Sequence, residues 1–99
     1  MRDPIIMAKV KEILAALSQA EPGHAVEVRI PPYSAIQCGT GPKHTRGTPP
    51  NVVEMSADSL FRLAAGGLSW QTGVSTGEIH ASGERSDLSA LFEKIRLDL

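Results

Sequence analysis

Apolar residues recur along positions 3–19 at Ile6, Val10, Ile13, Leu14 and Leu17, spacings of four, three, one and three that place them on one helical stripe opposite Lys9, Lys11 and Glu12. The pattern predicts an N-terminal helix over residues 3–20. Asp3 can cap it, Pro4 suits the first helical position because no backbone donor is needed there, and "EPG" at 21–23 closes it. The period then changes. "AVEVRI" at 25–30 alternates Val26, Val28 and Ile30 against Glu27 and Arg29, as a half-buried strand does. Pro31-Pro32 interrupts pairing, since proline has no N–H to give to a ladder, and "YSAIQC" at 33–38 follows as the antiparallel partner.

Beyond a proline- and glycine-rich stretch, "NVVEM" at 51–55 reads as a third short strand. Ser56 can cap the next helix, Asp58 suits its electropositive first turn, and Leu60, Phe61, Leu63 and Ala64 form its apolar face before Gly66-Gly67 stops it. "LSWQTGVSTG" at 68–77 predicts a short helix capped by Ser69 and weakened by Gly73. "EIHAS" at 78–82 alternates again, and Gly83 ends it. Ser86 is then expected to cap a last helix whose Leu88, Leu91, Phe92 and Ile95 share a stripe. The predicted class is α+β: an antiparallel sheet of about four to five strands covered by helices, one domain over 1–99 with the sheet and its covering helices within 24–97.

Composition narrows the function classes. A 99-residue chain with 41% hydrophobic content suits one core, and a net charge of −1 lacks the basic excess that nucleic-acid binding usually needs. Cys38 is the single cysteine, so no internal disulfide is available and a reducing, cytoplasmic setting is expected. The apolar run from Ile5 to Ala8 is too short for a signal-peptide core or a membrane span, so no integral membrane association is expected.

Catalytic chemistry finds little support. His24, Cys38, His44 and His80 are scattered singly, without the paired spacings of a metal site, and no metal or cofactor is expected. Cys38 lies in a predicted strand, which suits a small buried apolar residue better than a nucleophile. Glu78 and His80 sit two apart and would share a strand face, an arrangement more typical of a solvated face than of an acid/base pair. No nucleophile elbow or phosphate-binding glycine loop is present. The segment "GPKHTRGTPPNVVE" at 41–54 has a better claim. From Arg29 through Val53 there is no acidic residue, so Lys43, His44 and Arg46 make a locally positive loop that could meet a carboxylate or phosphate head. The alternative is a rigid turn with hydrated cations. Trp70 could line a ligand cavity or simply pack.

The stretch "SADSLFRLAAGGLSWQTGVSTGEIHASGERSDLSALFEKI" at 56–95 resembles the closing half of the sterol carrier protein type 2 fold: a capped helix, the "GGLSW" turn, a short helix, a strand ending in glycine, and a final apolar helix. With "VEVRIPPYSAIQC" and the 41–54 segment, residues 24–95 resemble the short, stand-alone actinobacterial sterol carrier family. That resemblance implies a sheet covered by helices and an apolar tunnel between them for a sterol, fatty acyl chain or related lipid, carried without covalent chemistry. Ile36, Val53, Leu60, Leu63, Trp70, Leu91 and Phe92 would wall it, with Lys43, His44 and Arg46 at the polar mouth. The same half is similar to the C-terminal domain of mycothiol-dependent maleylpyruvate isomerase-like enzymes, whose metal ligands belong to a separate helical domain. The second reading is therefore an accessory interaction module or homodimer, making contacts through the proline-rich loop and an exposed strand edge at 25–30 or 51–55.

Overall fold

The computed structural model describes residues 3–41 and 51–96. Eight elements follow in the order α1 (Pro4–Ala20), β1 (Val26–Ile30), β2 (Ser34–Cys38), β3 (Val52–Met55), α2 (Ala57–Ala65), α3 (Trp70–Thr76), β4 (Ile79–Ser82) and α4 (Ser89–Arg96). The α+β class is as expected. Capping chemistry sets the helix starts: Asp3 Oδ1 accepts from the N–H groups of Ile5 (2.8 Å) and Ile6 (3.3 Å), Ser56 Oγ from Ser59 (3.1 Å), and Ser69 Oγ from Thr72 (3.1 Å). α2 ends at Gly66, whose φ of 84° lies in the left-handed region where a side chain would be strained.

The start of α4 differs from the expectation. The helix begins at Ser89, and it is Asp87 Oδ1 that accepts from the Ser89 N–H at 2.9 Å. Ser86 is buried, and its hydroxyl donates to the Gly83 carbonyl at 2.7 Å, closing the turn after β4. "SD" offers two capping residues in succession, and burial of the serine leaves the aspartate to serve the helix.

The sheet is also not purely antiparallel. Its strand order is β2-β1-β3-β4, with β1 and β2 antiparallel, β3 and β4 antiparallel, and β1 and β3 parallel. β2 ends beside the start of β1, where Cys38 faces Val26, and β3 begins at that same end, where Val52 faces Glu27. β3 therefore runs alongside and parallel to β1. Both strands proposed as exposed edges, 25–30 and 51–55, are thus interior; among the described residues the edge strands are β2 and β4.

One side of the sheet carries Val26, Val28, Ile30, Cys38, Val53, Met55 and Ile79, all buried against the helices. The other carries Glu27, Arg29, Glu54 and His80, none of them buried. From the helices, Val10, Ile13, Leu14 and Leu17 of α1, Leu60, Leu63 and Ala64 of α2, and Leu91, Phe92 and Ile95 of α4 complete one continuous core. Its aliphatic side chains supply the main stabilisation, about 1.5–3 kcal/mol for each large side chain fully removed from water. α3 belongs to this layer differently. Only Gly73 of α3 is buried, and a methyl at that position would overlap Ile79 Cδ1 and Cγ1, so the glycine lets the short helix lie close on β4.

Candidate functional site

The apolar residues predicted to wall a cavity do converge. Val53 projects from the centre of the sheet, Leu60 and Leu63 from α2, and Leu91 and Phe92 from α4, all within one buried cluster. Trp70, the first residue of α3, is half-buried at its margin, its ring centroid 6.0 Å from that of Phe92 with the planes tilted by 32°. Tilted aromatic pairs at such separations are favourable, so the indole is held over the end of the core and not left to solvent. Ile36 sits apart, on edge strand β2 opposite Val28, half-buried against the cluster.

The core side chains are shielded from solvent. Leu60 and Val53 are fully buried, and Leu63 and Phe92 are 3% exposed. Three pockets bounded by described residues lie elsewhere: one of about 370 Å³ lined by Ser18, His24, Glu27, Ala35, Ile36 and Gln37; one of about 350 Å³ along Val52, Glu54, His80, Ala81 and Ser82; and one of about 300 Å³ that includes Pro31, Ser56, Glu78 and His80. Of the residues expected to wall a cavity, only Ile36 lines any of the three.

A family model described as a bacterial SCP ortholog matches residues 2–93. The chain belongs to the bacterial sterol carrier protein family. No curated protein matches it. The family match spans every described element except the end of α4, so the converging helix and sheet faces are those of a carrier-family chain.

The polar candidates fall differently in this sterol carrier family chain. Lys43, His44 and Arg46 lie outside the described residues. Glu78 is tied up: Thr76 Oγ1 donates to its carboxylate at 3.0 Å and Arg62 both hydrogen-bonds and ion-pairs with it, so these contacts hold its pKa below the usual carboxylate range. A carboxylate kept ionised in this way is poorly suited to pass a proton near neutral pH. His80 faces Glu54 across the β3–β4 ladder on the solvated side of the sheet. Cys38 is fully buried, and burial, with a smaller push from the Glu21 charge, raises its thiol to about 11. It is a packing residue, as expected for a thiol kept protonated. Among the described residues, no three histidine, cysteine or acidic side chains converge as a metal site would require, and no helix is long and apolar enough to cross a membrane.

Two residues that fasten Thr40 and Asn51 were not singled out by sequence reasoning. Asn51, 6% exposed, donates from Nδ2 to the Ala25 carbonyl and accepts at Oδ1 from the Arg85 N–H, each at 2.9 Å. Its own carbonyl accepts from Glu27 N–H, opening the parallel ladder. Arg85, from the turn after β4, also donates from Nη1 to the Thr40 carbonyl at 3.3 Å. Thr40 and Asn51 are thus fastened to the same turn. The signal for Asn51 was only a polar residue directly before an apolar pair, which reads equally well as a turn residue.

Proposed function

We propose that this chain is a non-catalytic carrier of a hydrophobic small molecule, a sterol, fatty acyl chain or related lipid, bound between the sheet and the helices. The observation that carries this reading is the convergence of Val53, Leu60, Leu63, Leu91 and Phe92 beneath Trp70 in a chain of the sterol carrier family. The ligand takes its space at the Trp70 end of this cluster. α3 is the element suited to move: it has seven residues, buries only Gly73, and keeps Val74 exposed. Displacing it uncovers Leu68 and Ile79, which Gly73 lies against, and an acyl chain replaces that contact with its own apolar surface. Ile36 borders the same core from the β2 side.

A polar head would meet Lys43, His44 or Arg46, with the Arg85 guanidinium at the loop's start as a further cation. The test is a titration with a fluorescent fatty acid and a fluorescent sterol while Trp70, the single tryptophan, is monitored. Saturable binding at micromolar ligand, with a quenched or shifted Trp70 emission, is expected. No response across a panel of acyl chains, sterols and phospholipids would overturn the proposal.

A further inference from the structure

The two edges of the sheet are treated differently. β2 is preceded by Pro31-Pro32 and flanked by α1, devices that keep other strands away. β4 has neither a proline nor an arginine, lysine or carboxylate within Ile79–Ser82, and His80, Ala81 and Ser82 are all exposed. The hydrogen-bond alternation shows which backbone groups it presents. Glu27 N–H donates to the Asn51 carbonyl, so β3 directs residues 51 and 53 toward β1 and Val52 and Glu54 toward β4. The antiparallel register commits Ser82 and His80 to β3 and turns the N–H and C=O of Ile79 and Ala81 outward. Beside this edge lies α3, whose Val74 is 43% exposed; it and Ile5 are the large apolar side chains left exposed among the described residues.

We propose that β4 is a homodimerisation edge, pairing antiparallel with β4 of a second copy about a two-fold axis at Ala81. The register is restricted. For the two sheets to continue with their helical layers on one side, residues of like parity must face each other. Centring on Ala81 sets it against Ala81 of the second copy in a hydrogen-bonded pair, His80 against Ser82, and Ile79 against Gly83. The two side chains at the centre are methyls, and no like-charged carboxylates or cations face each other within these pairs. The next pair in this register sets Glu78, whose charge Arg62 offsets, against Glu84, which follows Gly83 with its φ of 107°. Each copy satisfies the outward groups of the other. A four-residue strand makes a modest interface, so the association is expected to be weak.

Sedimentation equilibrium of the full chain up to millimolar concentration tests this, together with amide hydrogen exchange at Ala81. The mass should rise toward twice that of the monomer, with Ala81 exchange slowing in step. Ala81→Pro removes only an outward donor and Ala81→Lys adds a repelling charge; each should weaken association by about tenfold or more at unchanged circular dichroism. Ala35→Lys on β2 should leave it intact. A strictly monomeric wild type, a dimer indifferent to both Ala81 variants, or one broken by Ala35→Lys overturns the proposal. If both Ala81 variants unfold, unchanged Ala81 exchange across the wild-type concentration series does the same.

Discussion

Asn51 joins three parts of the chain that are far apart in sequence, and its removal has a calculable cost. In Asn51→Ala the Ala25 carbonyl loses the Nδ2 donor and the Arg85 N–H loses the Oδ1 acceptor. Ala25 is 2% exposed, so water does not readily replace its lost donor, whereas Arg85 is exposed and recovers part of its loss from solvent. A buried polar group left unsatisfied costs about 1–3 kcal/mol, and the partly wet one less, for a total of about 2–4 kcal/mol. In a domain of this size that lowers Tm by about 10–25 °C. Urea unfolding followed by Trp70 emission and by circular dichroism measures it. Asn51→Asp separates hydrogen bonding from packing. The carboxylate keeps an acceptor for Arg85 but turns a lone pair toward the Ala25 carbonyl, so its folded-state pKa is raised above the unfolded value. The stability of that variant is then greatest when the acid is protonated and falls as pH rises through the folded pKa, so its deficit relative to wild type is larger at pH 7 than at pH 4. An alanine variant within about 0.5 kcal/mol of wild type, or an aspartate deficit that does not vary with pH, refutes the assignment of Asn51 as a satisfied buried link.

Cys38, with its thiol raised to about 11, should resist an aromatic disulfide reagent at pH 8 in the native protein and react at the rate of unfolding; fast native reaction would show that the strand end opens. Because the folded pKa is the higher one, the stability linked to this thiol is present below the unfolded pKa and is lost as pH rises from about 9 to 11, a slope that Cys38→Ala should lack. Gly73→Ala should destabilise by about 1–3 kcal/mol because the new methyl overlaps Ile79, outweighing a helix-propensity gain of up to about 1 kcal/mol. Gly67→Ala, whose added methyl would meet only the Arg62 carbonyl at 3.8 Å and whose φ is not in the left-handed region, is the control and should be nearly neutral; equal effects at the two positions would remove the close-approach argument.

What was legible in the sequence follows from the range of each interaction. Asp3, Ser56 and Ser69 cap helices through bonds to residues two or three positions away, and the stripe of Val10, Ile13, Leu14 and Leu17 needs only the helical period to be recognised. The β1–β2 pair was legible because a short turn joins it. The placement of β3 was not, because its partner β1 is not its neighbour in sequence, and nothing local distinguishes a strand that folds back on β2 from one that passes beyond β1. Asn51 and Arg85 were missed for the same reason: they are 34 positions apart and meet only when β3 and the turn after β4 are brought together.

The candidate site was legible as a set of residues but not as a space. Val53, Leu60, Leu63, Leu91 and Phe92 share a cluster because burial of apolar surface favours their gathering, and that preference is the same whether they close on one another or on a bound acyl chain. Pattern therefore identifies residues that gather in the core, while a space among them depends on contacts between elements, such as Gly73 against Ile79 and the tilt of Trp70 on Phe92. On the proposed carrier reading, those two contacts are the ones a ligand trades against its own. If that reading holds, a change that loosens them without removing apolar core residues should make a fluorescent fatty acid bind more tightly in titration while lowering the urea midpoint of the unliganded protein, and a variant that moves only one of the two refutes the link between them.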